Sequence, residues 1–228
     1  RYIFASNKVD HEFSISFDLD VISIYEAYDK TERIVWGLEE PKEKNPEKKA
    51  QIIAQEKRLY ELSQIEGIPA VMPYQVPFRL LTTLLQTYSG NIDAVINALG
   101  DVKPEQEETL RKRCICAWYW IRESAPECAE DMCFALREDG SKAEDITGDM
   151  LKAVVRVREE VVPKVGTYSV DKDCQQDMYT IATELGLDAK DLFRALYHAL
   201  INKDQGPRLA NFMKIIGREK LTEILKVY

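Results

Sequence analysis

The stretch 69-PAVMPYQVPFRLLTTLLQTYSGNIDAVINALG-100 decides the fold class. Pro69, Pro73 and Pro77 each fix φ and push the preceding residue out of the helical region, so the first part runs extended. Pro77 also suits the first turn of a helix, where its missing N–H is not needed. The helix that follows is predicted to reach about Tyr88. Leu80, Leu81, Leu84, Leu85 and Tyr88 recur at helical spacing and make its apolar face. The other face carries Arg79, Thr82, Thr83 and Gln86, where a solvated helix usually carries Glu and Lys. Two readings of that face are open. Either it offers hydrogen-bonding groups and one positive fork to a polar, anionic ligand, or the helix is buried on both sides with its threonines and glutamine satisfied inside.

Helical signals continue in both directions. Asn91 caps a short helix that ends at Leu99 and Gly100. Pro104, followed by Glu105, Glu107 and Glu108 near the positive helix end, starts a long helix to about Ser124. Leu110, Cys114, Ala117, Trp118 and Ile121 are expected to face inward. Arg111, Lys112 and Arg113 form a basic cluster; with Trp120 they could stack on and pair with nucleic acid, or Trp120 packs against the next helix. Upstream, a charged linker (38–48) precedes a helix over 47–65 with Ile52, Ile53, Leu59, Tyr60 and Leu62 inward. Before it, Asp18 or Asp20 can cap a helix that Gly37 stops, with Val21, Ile24, Tyr25, Tyr28, Ile34 and Val35 as its apolar stripe. Phe13, Ile15 and Phe17 alternate with polar residues, which allows a brief extended segment.

Downstream, Pro126 restarts a helix to about Arg137, and Asp139-Gly140-Ser141 makes a turn. A helix follows over 146–161 until Pro163 and Gly166 break the chain. Three more turns of the pattern complete it: a helix over 171–185, one over 189–202 capped by Asp188, and one to Ile216, with a last basic amphipathic helix after Gly217. The expected fold is all-α, a helical bundle or cage. Its expected segments are 1–37, a connecting piece; 38–165, a first helical sub-domain; and 166–228, a second that begins after Pro163.

The chain has 228 residues, of which 45% are hydrophobic and 31% charged. That is a globular composition, and no apolar run approaches the ~20 residues that span a bilayer. Five cysteines give no disulfide framework and suggest a reducing, cytoplasmic setting. Cys114 and Cys116 point to different sides of a helix, so no metal site is expected. The net charge of −8 argues against a non-specific nucleic-acid coat. Positive charge is nevertheless concentrated at the end: Lys203 to Tyr228 carries six basic residues against three acidic ones.

Three separated blocks carry a family resemblance. Pro77-Phe78-Arg79, Gln86 and Gly90-Asn91-Ile92 make one. The run from Phe17-Asp18-Leu19-Asp20 to Arg33 makes another. The third is Leu192-Phe193-Arg194-Ala195-Leu196-Tyr197-His198-Ala199-Leu200, then Gly206-Pro207-Arg208-Leu209 and Ile216-Gly217. In order and spacing the chain resembles the C-terminal part of class I lysyl-tRNA synthetases of archaeal type. The resemblance implies a helical anticodon-binding cage, tRNA(Lys) and the catalytic domain of the same protein as partners, and ATP with magnesium for the full-length enzyme.

The catalytic signatures of that class are not in this chain. Its histidines, His11 and His198, do not sit in a His-x-Gly-His motif, and there is no KMSKS-type loop or phosphate-binding glycine loop. No catalytic residue, metal or cofactor is therefore assigned to it, and it is not expected to aminoacylate alone. Sequence-specific reading of RNA targets unstacked loop bases by aromatic stacking and edge hydrogen bonds. Tyr74, Gln75, Phe78, Arg79 and Gln86 are candidates around the Pro-rich lead-in. Lys203, Gln205 and Arg208 are candidates at a helix N-terminus, where free N–H groups favour phosphate. A helical protein-interaction scaffold and the equivalent domain of a glutamyl-type synthetase are the alternatives.

Overall fold

The computed structural model describes residues 1–7, 12–14, 16, 18–138 and 140–228. Among them the fold is all-α, as expected: twelve α-helices with short 3-10 and π turns, and no strand. The extended segment read at 13–17 depends on Ile15 and Phe17, which lie outside the described residues, as do His11 and Asp139. The chain forms two compact units. The first comprises Arg1–Thr82 and Ile92–Ala129; the second comprises Thr83–Asn91 and Glu130–Tyr228.

The first unit holds α1 (Tyr2–Ser6), α2 (Asp20–Val35), α3 (Pro46–Ser63), the start of α4 (Phe78–Thr87), α5 (Ile92–Leu99), α6 (Pro104–Glu123) and α7 (Ala125–Cys128). Local chemistry sets the ends. Asp18 accepts from the Asp20 N–H before α2. Asn45 accepts from the N–H groups of Glu47 and Lys48, and Pro46 fills the first turn of α3. Gly37 closes α2 with φ of +72°, a conformation that glycine adopts without strain. α2 and α1 both pack on α3. Val95, Leu110, Cys114, Leu81 and Phe78 are buried.

Three inward assignments in this unit need correction. Ile53 and Leu62 are exposed, and only Tyr60 of α3 is fully buried. The buried residues of α2 are Ile22, Asp29, Thr31, Glu32 and Ile34, of which Ile34 alone belongs to the expected stripe. Val21, Ile24, Tyr25 and Tyr28 are half-buried. In α6, Trp120 takes the buried position and Trp118 is half-buried. The edge-on contact of Trp120 with Phe78, centroids 5.3 Å apart, is what draws it inward.

The second unit holds the end of α4, α8 (Gly148–Arg156), α9 (Asp171–Glu184), α10 (Ala189–Ile201), α11 (Leu209–Ile216) and α12 (Arg218–Leu225). Its core is a single apolar cluster that includes Val154, Val157, Val161, Met178, Leu192, Leu196, Leu200, Phe212 and Leu221. α8 continues through a π turn over Val157–Val161 and a 3-10 turn over Val162–Lys164. These irregular turns keep Val157, Val161 and Val162 buried together. The division expected at Pro163 therefore falls inside this unit, because Val161, Val162 and Val165 share one core with Cys174 and Met178.

The helix expected over 126–137 is also shorter than read. α7 stops at Cys128, and a 3-10 turn over Glu130–Met132 follows. The next segment is held by a side chain instead of a helical ladder. Gln86 donates to the Met132 carbonyl at 3.0 Å and accepts from the Phe134 N–H at 2.7 Å. An amide side chain that meets one backbone donor and one acceptor substitutes for a regular pairing partner.

Candidate functional site

Of the eight candidate residues, Tyr74, Gln75, Phe78 and Arg79 lie in the first unit and Gln86, Lys203, Gln205 and Arg208 in the second, and several are already occupied within the fold. Gln86 is 5% exposed, with both ends of its amide on the 132–134 backbone. Thr82, Thr83 and Thr87 are buried as well. Of the two readings of α4, the helix buried on both sides is the one found, with Thr87 donating to the Thr83 carbonyl.

In the first unit, Phe78 is 2% exposed, between Tyr25 and Trp120. Gln75 donates to the Asp29 carbonyl at 2.9 Å and to Glu32 at 2.7 Å, and accepts from Arg33 at 3.2 Å. Its amide is thus spent on pinning the Pro-rich lead-in, which Gln106 also holds by donating to the Met72 carbonyl. Tyr74 is half-buried and Arg79 is exposed at the start of α4. Of the five candidates around the lead-in, Phe78 and Gln86 are buried and the Gln75 amide is bonded within the fold, whereas Arg79 is exposed and Tyr74 half-buried.

Beneath the lead-in lies a buried charged cluster that sequence reading missed. Arg113 of α6 donates to Asp29 at 2.9 Å and to Glu32 at 3.1 Å. Its side chain is 12% exposed and that of Glu32 is fully buried. Tyr60 donates to the other oxygen of Glu32 at 2.8 Å. Arg113 also lies 5.3 Å from the centroid of the Tyr25 ring, within cation–π range. Burial pushes the Asp29 carboxyl above the usual range even though Arg113 opposes this. The basic cluster 111–113 is therefore structural: Arg111 pairs with Asp93 and Glu107, Lys112 with Glu108, and Arg113 is inside. Helical periodicity could not reveal this, because charged residues at buried positions look like a solvated face.

The first unit also contains a groove of about 840 Å³, walled by Tyr25 and Tyr28 of α2 and by Ile115, Tyr119 and Trp120 of α6. This groove is why the expected apolar stripe of α2 stays half-exposed. All five cysteines are free thiols; burial pushes Cys114 and Cys174 up to about 11.

In the second unit, Lys203, Gln205 and Arg208 come together on the turn between α10 and α11. Asn202 ends α10 in the left-handed region, φ +56°. Gly206 is required by space: a Cβ there would lie 2.8 Å from the Ile201 side chain and 3.1 Å from the Tyr197 ring. Tyr197 donates to the Pro207 carbonyl at 2.6 Å. Lys203 donates to the Glu130 carbonyl at 2.7 Å and is half-buried, while Gln205 and Arg208 are exposed. Arg208 sits at the N-cap of α11 and makes no side-chain cap hydrogen bond among the described residues; the first N–H groups of a helix have no partner within it. Asp204 in the same turn is bound by Arg194 and His198, both at 2.7 Å. An anion would meet positive side chains and helix N–H groups here, with the one acidic residue of the turn already paired.

Comparison with known proteins supplies the context for these surfaces. The chain is 42% identical over its full length to a protein of Treponema pallidum named lysine–tRNA ligase, covering 41% of that protein. It is 40% identical over its full length to the lysine–tRNA ligase of Borreliella burgdorferi, covering 42% of it. The likeness reaches archaea: the lysine–tRNA ligase of Thermococcus kodakarensis is 31% identical across all of this chain. The chain thus spans about two fifths of the length of the curated relatives it matches. No family model matches it. The resemblance to lysyl-tRNA synthetases read from three blocks of sequence is borne out along the whole chain.

Proposed function

We propose that this chain is the C-terminal, anticodon-side part of a class I lysine–tRNA ligase, and that it contributes RNA recognition and no chemistry of its own. The observation that carries this reading is the unbroken similarity to proteins of that name over the entire chain. The full-length protein would join lysine to tRNA(Lys). ATP and magnesium would serve its catalytic domain, since this chain has no glycine-rich loop to cradle phosphates. The proposed contacts are Tyr74 and Arg79 in the first unit and Lys203, Gln205 and Arg208 in the second. Gln75, Phe78 and Gln86 support the recognition surfaces from within. A tyrosine ring and an arginine fork suit an unstacked base, while the α10–α11 turn suits phosphate.

The test is binding of this chain to tRNA(Lys) and to the same tRNA with an altered anticodon, at one fixed salt concentration. Tighter binding to the unaltered tRNA is expected. Equal affinity for both would remove base reading, and absence of binding to either would favour the scaffold alternative. The same assay on the full-length ligase separates a contribution of the catalytic domain from a failure of recognition.

A further inference from the structure

His198 of α10 lies between two carboxylates from different segments. Its Nδ1 is 2.6 Å from Asp145, in the loop before α8, and its Nε2 is 2.7 Å from Asp204, in the α10–α11 turn. The imidazole is mostly enclosed, with its side chain 18% exposed. A neutral imidazole has one N–H and one lone pair, so it can donate to only one of these carboxylates and would present the lone pair to the other. Only the imidazolium satisfies both. Among the described residues, Arg194 donates to Asp204 from the same helix, and Arg137 donates to the His198 carbonyl and to Asn202.

We propose that His198 is a positioning residue for RNA binding: as the imidazolium it ties Asp204 to Asp145 and holds the 202–208 turn in the shape that presents Lys203, Gln205 and Arg208. This rests on the RNA-binding reading above. The hydrogen bonds from His198 and Arg194 also hold the Asp204 carboxyl below the usual range, consistent with a charged strut. Simple electrostatics makes the opposite demand on Asp204. A carboxylate beside a phosphate-binding turn is repulsive, so removing it should strengthen binding if charge alone mattered.

That opposition defines the experiment. Binding of the tRNA(Lys) anticodon stem-loop is measured from about pH 5.5 to about pH 8.5 for the unaltered chain, Asp204→Asn and His198→Gln. The unaltered chain should lose affinity as pH rises. Asp204→Asn should bind about two- to fivefold more weakly at the acid end, the scale of an exposed ion pair, and should lose most of the pH dependence. His198→Gln should be weak and flat with pH. Tighter binding by Asp204→Asn with the pH dependence intact would overturn the proposal. Hydrogen exchange of the 203–206 and 208 amides in the free protein supplies a readout independent of RNA. It should be about two- to fivefold faster in His198→Gln at acid pH, and unchanged exchange would also overturn the proposal. Faster exchange in the variant, with no RNA binding by the unaltered chain, would sustain the strut and defeat the RNA-binding reading instead.

Discussion

The two units solve the same problem, burying one side of several helices, with different materials. The second does it with hydrocarbon: Val154, Val157, Met178, Leu192, Leu196, Leu200, Phe212 and Leu221 meet in one cluster. The first gives part of its interior to Asp29, Glu32, Arg113, Tyr60 and Gln75, joined in a hydrogen-bonded network. An apolar core tolerates a range of side chains of suitable volume, whereas a buried network depends on every partner being present. The first unit thus exchanges tolerance for definition. Its network pins the Pro-rich lead-in through Gln75, which settles where Tyr74 and Arg79 begin.

The distribution of tryptophan makes the contrast measurable. Trp36, Trp118 and Trp120 are all in the first unit, so tryptophan emission follows that unit, while far-ultraviolet circular dichroism follows both. The largest effect is expected from Arg113→Ala. It leaves Glu32, fully buried, without its cation, and should cost about 3–5 kcal/mol in urea unfolding followed by emission. A shift under about 1 kcal/mol would mean that the network contributes little to holding this unit. Leu196→Ala in the second unit should cost about 3 kcal/mol by cavity formation, seen in circular dichroism, with the emission transition in place. Movement of both signals together would show that the units do not unfold separately.

The proposed recognition surfaces extend the comparison. Arg79→Ala in the first unit should weaken tRNA(Lys) binding by about 1–3 kcal/mol and reduce discrimination between anticodons. Arg208→Ala in the second should weaken binding to both tRNAs alike and lower the salt slope by about one. Exchanged outcomes would reverse the assignment of base reading and phosphate contact.

The smallest expected effects are in acid stability, where the units differ in sign. Burial raises the Asp29 carboxyl, so the folded first unit holds that proton better than the unfolded chain. This contribution falls as pH rises from the ordinary carboxylate range through the raised value. In the second unit Lys164 and Tyr168 hold Asp177 below the usual range. Its contribution is present above the ordinary range and is lost as pH falls through the depressed value. Unfolding between about pH 3 and about pH 7 should show Asp29→Asn making the first unit's loss on acidification steeper. Asp177→Asn should make that of the second shallower, by under about 1 kcal/mol for so accessible a carboxylate.

Legibility followed the same divide. α9, α10, α11 and α12 were readable because apolar residues at helical spacing face one hydrocarbon core, and Asp188, Gly186 and Gly217 mark helix ends. α2 was readable as a helix but not in its facing. Its stripe of Val21, Ile24, Tyr25 and Tyr28 lines a groove, and Asp29 and Glu32 go inside. At the candidate surfaces, Lys203, Gln205 and Arg208 were legible as a turn because they are neighbours in sequence. The use of Gln75 and Gln86 inside the fold was not, since their partners lie more than forty positions away.

By itself the sequence determined that this chain is helical, where most of its helices start and stop, and, through three separated blocks, which synthetases it resembles. Those properties are local or are carried by residue identity and order. Only the tertiary structure decided that the chain divides along α4 and not at Pro163, that Arg113 is a buried counter-ion, and that His198 bridges two carboxylates. The reason is physical: burial and pairing of a charged side chain depend on what distant segments bring to it, and helical periodicity contains no information about that partner.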